Sequence, residues 1–370
     1  MQSRRTVPAA PGTPAASAAV AAGGLVWASA VTGAGPDGKL VAADVGPQTT
    51  RALARLDESL RAAGSSLAQA VSVSVFLKRA SDFAAMNDAY RGAFGDQPPA
   101  RTTVVADLGP DTLVAVGAIA VPAGAPRETL HPAGWMKSPR PYSYIVRAGD
   151  LVFLSGLLSR RGIDDQPVTG PVGLQVRTIL DNAETLLKTA GLTLADVVAA
   201  KVFLTDESSF NAMNDEYRTY FPSRPPARAT AIVGLMSPDV GVEITLVASA
   251  AAKEAIGSNV NPSLPLSPAI RTGPFVFLSG VLGNTDANAN DLAAQTREVM
   301  ARSARTLTSA GMTFADVVDN TIYMTDIWQA PTAHKVYAEL LGADAPARTT
   351  VGTGLVVRNG LIEMMMTAVR

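Results

Sequence analysis

A threefold internal repeat constrains this 370-residue chain more than any other feature of its sequence. An Ala-Gly pair that begins at Ala63 recurs at Ala190 and at Ala310, so that its glycines lie 127 and then 120 residues apart. A period of this length is too long for a solenoid repeat and suits a compact domain. Three tandem domains are therefore predicted, at residues 1–127, 128–255 and 256–370. The same two offsets align Tyr90 with Tyr217 and Tyr337, and Pro99-Ala100-Arg101 with Pro226-Ala227-Arg228 and Pro346-Ala347-Arg348.

Each copy predicts the same order of strands and helices, and copy two shows it best. The run from Leu151 to Gly156 is typical of a short buried strand that ends in glycine. Apolar residues then recur at helical spacing as far as Leu187, and Gly191 stands where a glycine commonly ends a helix. A strand, a helix and two closing strands follow. The order β-β-α-β-α-β-β predicts an α+β fold in which a mixed sheet carries two helices on one face.

The other face of each sheet must also be covered. If the three sheets pack their open faces together, they bury a central barrel-like core and leave three clefts between neighbouring domains. Such a chain is an intramolecular pseudo-trimer, and we expect it to be a monomer because closed threefold packing is satisfied within one molecule.

Composition disfavours several classes of function. Lys and Arg number 31 against 32 acidic residues, so a formal net charge of −1 offers no cationic excess for a nucleic-acid backbone. The absence of Cys and the presence of only two His argue against thiolate chemistry and against a metal site. We therefore predict neither a metal nor a nucleic-acid partner.

The distribution of apolar residues predicts a protein without a membrane segment. No apolar run reaches the roughly 18 to 20 residues that span a bilayer. The residues up to Ala22 lack the apolar centre of a signal peptide, which indicates a cytoplasmic protein. An exported protein whose signal had been removed would begin in the same way, so that alternative stays open.

Charged residues occur at equivalent points of the closing strands. Arg101, Arg228 and Arg348 each follow Pro-Ala directly, and a guanidinium fixed there could bind a carboxylate or form an ion pair between domains. Fifteen residues beyond Arg228 and Arg348 lie Glu243 and Glu363, each within an apolar strand. A buried carboxylate is costly unless it is paired, so these acids are predicted either to line a cleft or to pair with arginine.

Together these motifs resemble the RidA family, the YjgF-like reactive-intermediate deaminases, over nearly the whole chain. The family pattern has a Pro-Tyr near the start, a Ser-Gly at the end of a strand, an Asn before a Tyr in the second helix, a Pro-Ala-Arg, and a Glu in the last strand. Copy two matches every part of it, with Pro141-Tyr142, Ser155-Gly156, Asn214 and Tyr217, Pro226-Ala227-Arg228, and Glu243.

The resemblance implies trimers of a chorismate-mutase-like domain that hydrolyse 2-aminoacrylate and related 2-imino acids, in clefts between subunits, to 2-keto acids and ammonia. It implies that Arg228 and Arg348 bind the substrate carboxylate, and that Glu243 and Glu363 position and activate a water. No cofactor is implied, because a protonated imine is already electrophilic. The remaining substrate-binding residues implied are Tyr142, Ser155, Gly156, Asn214, Ser279 and Gly280.

Copies one and three depart from the family pattern. Copy three keeps its Ser-Gly, Arg and Glu but has Leu266 in place of the Tyr and His334 in place of the Asn, which indicates an altered site. Copy one has Ala16, Ala30 and Ala115 in place of the Tyr, the Gly and the Glu. It is predicted either to be structural or to donate residues to a neighbouring cleft.

The sequence thus predicts a deaminase of small carboxylates, and two alternatives remain. One is a pseudo-trimer that binds a carboxylate without turnover. The other is a related hydrolase or lyase that acts on another small carboxylate, since one fold hosts many chemistries. Which copies face each other across a cleft is not specified.

Overall fold

The three repeats fold as three α+β units of one design in a computed structural model, which describes residues 4–10, 13, 15–35, 37–257, 263–341 and 345–370. This confirms the predicted fold class. Domain 1 contains β1 (Arg5–Pro8), β2 (Ser17–Ala22), β3 (Leu25–Thr32), α1 (Val45–Ala62), β4 (Ala70–Leu77), α2 (Phe83–Arg91), β5 (Ala100–Val105) and β6 (Val114–Ala120). Domain 2 contains β7 (Glu128–Leu130), β8 (Ile145–Ala148), β9 (Leu151–Leu154), β10 (Leu157–Leu158), α3 (Val172–Thr189), β11 (Val197–Leu204), α4 (Phe210–Tyr220), β12 (Ala227–Ile232) and β13 (Val242–Ser249). Domain 3 contains β14 (Lys253–Ile256), β15 (Ala269–Thr272), β16 (Phe275–Leu278), β17 (Val281–Leu282), α5 (Leu292–Ser309), β18 (Val317–Met324), α6 (Ala330–Leu341), β19 (Ala347–Gly352), β20 (Gly354–Leu355) and β21 (Ile362–Val369).

Each domain forms a mixed sheet with the same strand order. In domain 2 the order is β7-β8-β9-β13-β11-β12, and β11 and β12 run parallel while the other neighbours are antiparallel. Helix α4 connects the two parallel strands, because parallel neighbours require a long crossover. Domains 1 and 3 repeat this arrangement as β1-β2-β3-β6-β4-β5 and β14-β15-β16-β21-β18-β19.

Both helices of each domain cover one face of its sheet. In α3 the buried residues Val176, Ile179, Leu180 and Ala183 form the apolar stripe expected from their spacing. The second helix begins with a short turn whose cap is Asp206, which accepts a hydrogen bond from the backbone N–H of Ser208. None of the helices in the described part of the chain combines the length and the apolar character of a membrane span.

The opposite sheet faces share one hydrophobic cluster. Its large side chains come from all three domains and include Trp27, Phe76, Phe153, Phe203, Phe277 and Tyr323. Backbone hydrogen bonds connect the strands into one sheet of 13 strands and another of 8. A closed barrel is not among these connections, and the barrel-like core therefore stays a prediction.

A cavity of about 110 Å³ lies within this shared core. It contains the charged side chains of Lys201 and Asp319, and Lys201 Nζ donates to Thr321 Oγ1 at 3.2 Å. Burial lowers the pKa of Lys201 and raises that of Asp319 to about 6. The centre of the molecule therefore holds one basic and one acidic side chain, in a cavity lined by apolar residues and by several serines and threonines.

Repeated serine contacts join each domain to the next. The backbone N–H of Ser143 donates to Pro99 O at 3.1 Å, that of Ser267 to Pro226 O at 3.2 Å, and that of Ser17 to Pro346 O at 3.0 Å. The first contact joins domains 1 and 2, the second joins domains 2 and 3, and the third joins domains 3 and 1. Every domain therefore contacts both others, and three equivalent clefts result.

Candidate active site

Each cleft combines the arginine of one domain with the glutamate-bearing strand of the next. In the cleft between domains 1 and 2, the backbone N–H of Arg101 donates to Ser155 Oγ at 2.8 Å. The N–H of Gly156 donates to the carbonyl of Arg101 at 3.0 Å. Ser155 is completely buried and also donates to the carbonyl of Ser143. The hydroxyl of Ser155 therefore holds the strand of Arg101 in place.

The cleft between domains 1 and 2 contains a cavity of about 90 Å³. This is more than the roughly 10 to 15 Å³ that one water requires, and it leaves room for a small molecule. Domain 1 contributes Arg101 and Thr103, and domain 2 contributes Tyr142 and Glu243. The other lining residues include Phe83, Trp135, Arg140, Gly156, Arg160, Asp165 and Asn182.

Arg101 presents an unoccupied hydrogen-bond donor in this cleft. Its Nη1 is buried without a partner, and its guanidinium carbon lies 4.8 Å from the ring centre of Tyr90 and 5.8 Å from that of Tyr142. Burial lowers the pKa of Arg101, while nearby Tyr90, Tyr142 and Glu243 act in the opposite direction. A desolvated guanidinium held between aromatic rings is suited to bind a planar anion.

Glu243 lies on the other wall of the same cavity and is only 4% exposed. Burial raises its pKa from the ordinary value of 4.5 to about 8, although Arg101 and the backbone of Thr103 favour the ionised form. Arg101 and Glu243 both lie in the part of the chain that the structure describes, and they form no ion pair with each other. The carboxyl group of Glu243 is therefore mainly protonated at neutral pH and remains open to a ligand.

Gly156 makes this position of Glu243 possible. A Cβ atom on Gly156 would overlap Oε1 of Glu243, and the same relation holds between Gly280 and Glu363. In domain 1 the equivalent residues are Ala30 and Ala115, so a methyl group stands in copy one where the carboxylate is missing. Ala30 is therefore compatible with Ala115, whereas a Cβ at that position would clash with a glutamate.

The cleft between domains 2 and 3 has the same framework but a different arginine environment. Arg228 Nη2 donates to Asn214 Oδ1 at 2.7 Å, so Asn214 holds the arginine instead of facing a ligand. Glu363 is buried opposite, its Oε2 has no hydrogen-bond partner, and burial raises its pKa to about 8. Ser279 and Gly280 hold the strand of Arg228 as their counterparts hold that of Arg101.

The third cleft, between domains 3 and 1, has no glutamate. Arg348 Nη1 donates to the carbonyl of Ala15 at 3.2 Å. His334 lies near Thr350, with 3.1 Å between Nε2 and Oγ1, and burial together with Arg348 lowers its pKa to about 3. Ala115 occupies the place of the acid. Within the part of the chain that the structure describes, this cleft therefore holds a neutral imidazole, and it has Ala115 at the position that the glutamate occupies in the other two clefts.

The structure divides the residues that copy two matches in sequence between two clefts. Tyr142, Ser155, Gly156 and Glu243 belong to the cleft with domain 1. Arg228 and Asn214 belong to the cleft with domain 3, so Arg228 and Glu243 are not brought together. The partner of Glu243 is Arg101, which agrees with the interpretation of copy one as a donor to a neighbouring cleft.

Several residues of the cavity between domains 1 and 2 were not predicted. Arg140 and Trp135 lie in the segment between β7 and β8, and Arg160 and Asp165 lie in the loop after β10. The sequence contained one indication of the loop. Counted from the Ser-Gly position, the residues equivalent to Arg160 are Ala34 and Asn284, so an arginine occurs at this position in copy two alone. The connecting segment has no matched counterpart in the other copies and gave no comparable signal.

A comparison with models of protein families matches all three repeats to one family. The model described as Endoribonuclease L-PSP matches three segments, at residues 9–122, 135–250 and 257–370. The chain belongs to this family. The recognition of RidA-type repeats in the sequence is therefore confirmed, and this family is present in three tandem copies.

Individual members of this family align with one copy at a time. A RutC family protein of Sulfurisphaera tokodaii is 36% identical over 116 residues, which are 30% of this chain and 93% of that protein. A protein of Acinetobacter baylyi named 3-aminoacrylate deaminase RutC is 35% identical over 123 residues, which are 33% of this chain and 98% of that protein.

One solved structure resembles the fold over a larger part of the chain. A crystal structure of a chorismatase matches with a TM-score of 0.57 and 13% identity, over 81% of this chain and 93% of that one. This share is larger than any two of the copies occupy together, so the similarity in fold extends beyond a single unit.

Proposed function

We propose that the chain is a hydrolytic deaminase of 2-aminoacrylate and related 2-imino and enamine acids, acting in the cleft between domains 1 and 2. The proposal rests on one observation. Arg101 and Glu243 come from different domains and line the same cavity, and they form no ion pair with each other in the described part of the chain. Membership of the family and the similarity to a protein named as an aminoacrylate deaminase support the reaction class.

Arg101 is the group that we assign to the substrate carboxylate. A guanidinium binds a carboxylate through two parallel hydrogen bonds, which fixes the orientation of a small planar acid. The unpartnered Nη1 and the ring of Tyr142 support such a position. With the carboxylate held there, C2 and C3 of the substrate lie towards Glu243.

Glu243 first acts as an acid. In its neutral form it donates a proton to C3 of 2-aminoacrylate, and the electrons of the C2=C3 double bond form the new C3–H bond. The nitrogen lone pair forms a C2=N bond at the same time. The products of this step are an iminium carboxylate and an ionised Glu243, whose charge stabilises the iminium.

Glu243 then acts as a base towards water. It accepts a proton as the water oxygen attacks C2, and the electrons of the C2=N bond return to nitrogen. Glu243 passes this proton to the amino group and takes back the proton of the new hydroxyl as C2=O forms and the C–N bond breaks. One water is consumed, a 2-keto acid and ammonia leave, and Glu243 is again protonated.

The other two clefts support this reaction less well. Arg228 is already bound by Asn214, and Leu266 replaces the tyrosine. The cleft of Arg348 has Ala115 at the position of the glutamate. A formal net charge of −1 also gives no reason to include RNA among the substrates, although the family is described as an endoribonuclease.

The test is ammonia release from 2-aminoacrylate that a PLP-dependent lyase generates in situ, measured above the rate without protein. We expect Glu243→Gln to reduce the catalysed rate about 10² to 10⁴-fold, and Arg101→Gln to reduce it mainly through a raised KM. The matched controls are Glu363→Gln and Arg228→Gln, which make the same changes in the neighbouring cleft and are expected to retain activity.

The possible outcomes separate the alternatives. Loss of activity in Glu363→Gln with full activity in Glu243→Gln would move the site to the cleft between domains 2 and 3. A parent protein without activity would contradict the proposal. It would favour either a carboxylate-binding protein without turnover or a hydrolase or lyase of another small carboxylate.

A further inference from the structure

The cavity between domains 1 and 2 has a second cationic wall that the proposed reaction does not use. It is formed by Arg140 and Arg160, which share the single carboxylate of Asp165. Arg140 Nη1 lies 3.0 Å and Arg160 Nη1 lies 3.3 Å from Asp165 Oδ2. Two guanidinium groups and one carboxylate leave one positive charge uncompensated in this wall.

The loop that carries this wall is held in a defined conformation. Ser159 and Val168 are joined by two hydrogen bonds, and Asn182 Nδ2 donates to the carbonyl of Arg160 at 2.6 Å. Asp165 has a φ of +55°, a left-handed conformation that costs most residues roughly 1 to 2 kcal/mol. Asp is one of the few residues other than glycine that adopt this conformation readily, so the residue that joins the two arginines also suits the turn.

The segment before Tyr142 closes the other side of the loop. The N–H of Met136 donates to the carbonyl of Gly162 at 2.9 Å, and the ring of Trp135 lies where a Cβ of Gly162 would be. Arg140 follows in the same segment, so its guanidinium is brought to the cavity wall next to Tyr142. Trp135 therefore helps to fix the segment that presents Arg140.

Arg140 has hydrogen-bonding capacity left. Its Nη1 is engaged by Asp165, and its side chain is 33% exposed. Within the described part of the chain, Nε and Nη2 of Arg140 donate to no protein atom. Arg140 also lies close enough to Arg101 for the two positive charges to repel each other. An anion that contacts both arginines would relieve this repulsion.

The neighbouring cleft provides an internal comparison. The residue equivalent to Arg140 relative to the Pro-Tyr position is Leu264, and the residue equivalent to Arg160 is Asn284. A cationic wall at these two positions is thus a property of the cleft that keeps both Arg101 and Tyr142. This coincidence argues for a role in ligand binding.

We propose that Arg140, supported by Arg160 and Asp165, forms a subsite for a second carboxylate, so that the preferred ligands of this cleft are 2-imino dicarboxylic acids and their 2-keto products. One carboxylate binds Arg101 and the other binds the free edge of the Arg140 guanidinium. The subsite rests on the proposed function only in that the ligands are named as substrates and products of that reaction. The binding of a dicarboxylate can be measured without turnover.

The experiment compares two stable five-carbon acids that differ only in the second carboxylate, 2-oxopentanoate and 2-oxoglutarate. Calorimetric titration of the full chain at pH 7 gives both Kd values. For the parent protein we expect 2-oxoglutarate to bind about 10-fold more tightly or better, as a charge-assisted hydrogen bond predicts. In Arg140→Gln the ratio of the two Kd values should fall to near one, because the Kd of 2-oxoglutarate rises much more than that of 2-oxopentanoate.

Arg177→Gln is the matched control, since Arg177 forms an exposed ion pair with Glu216 on the helical face. It should leave both Kd values as in the parent. Equal affinity of the parent for the two acids would overturn the subsite, and so would an Arg140→Gln variant that weakens both acids equally. If 2-oxopentanoate binds and Arg101→Gln abolishes its binding, the proposed function survives that result. If neither acid binds, both proposals fail.

Discussion

The pH dependence of stability provides a direct test of the environment of Glu243. Its pKa is raised from 4.5 to about 8 in the folded chain because the carboxyl group is buried. The folded state therefore holds this proton more tightly than the unfolded state. Its contribution to stability is fully present below pH 4.5 and is lost as the pH rises towards 8. Glu243→Gln removes this titration while keeping the shape of the side chain.

The size of the effect follows from the shift in pKa. At about 1.4 kcal/mol for each pKa unit, a rise from 4.5 to about 8 corresponds to roughly 5 kcal/mol between the two ends of the range. We expect the free energy of unfolding of the parent, relative to Glu243→Gln, to fall by about 1.4 kcal/mol per pH unit over this interval and to level off above it.

The assay is urea denaturation of both proteins at five values from pH 5 to pH 9, followed by tryptophan fluorescence. Glu363→Gln should give the same sign, because burial also raises the pKa of Glu363 to about 8. A control with the opposite shift, Glu216→Gln, should not, since the ion pair with Arg177 lowers the pKa of Glu216. If the difference between parent and Glu243→Gln does not change with pH, the carboxyl group is not desolvated as described and the acid role assigned to it is untenable.

Three further results are expected. Gly156→Ala should reduce ammonia release about 100-fold by displacing the carboxyl group of Glu243. Gly46→Ala should not, because an added Cβ there meets no atom and the backbone does not have a positive φ; equal activity of Gly156→Ala and parent would contradict the steric argument. Lys201→Met should destabilise the chain by about 1 to 3 kcal/mol in chemical denaturation, because Asp319 loses a nearby positive charge and Thr321 Oγ1 loses its donor. The double variant with Asp319→Leu should recover part of this loss, and additive losses would refute the coupling. Sedimentation equilibrium should give the mass of one chain, and an obligate trimer would overturn the proposal of an intramolecular pseudo-trimer.

The sequence predicted the domain unit well because its evidence is local and repeated. The offsets that align Gly64, Gly191 and Gly311 repeat within every copy, and each predicted strand and helix lies near its predicted position. The edge strands β1, β7 and β14 and the short strands β10, β17 and β20 were not predicted. The helix ends followed from residues with known preferences, such as Gly191, which has a φ of +71°.

The composition of each cleft could not be predicted in the same way. A repeat aligns Arg101 with Arg228, but it does not say which glutamate each one faces, because that depends on the order of the domains in space. Asn214 illustrates the consequence. Its position in the motif suggested a contact with substrate, whereas it binds Arg228, and only the three-dimensional structure distinguishes these two roles.

The connecting segment was unpredictable for a different reason. Trp135 and Arg140 lie in an irregular stretch without periodicity, and their importance comes from packing against the loop of Gly162. A closer comparison of copies could have identified one relation, since Ala30 and Ala115 occur in the same copy. The loss of a carboxylate and the loss of the glycine that accommodates it are linked by a steric requirement.

Because each cleft is built from two domains, the loss of a residue in one copy is not the loss of one complete site. Three domains in mutual contact form three clefts, and each cleft takes its arginine from one domain and the position of its acid from the next. A domain that loses its acid therefore impairs one cleft, while its arginine still lines another. Domain 1 has Ala115 in place of the acid but contributes Arg101 to the cleft with domain 2, so a substitution at Arg101 acts on the same cleft as one at Glu243.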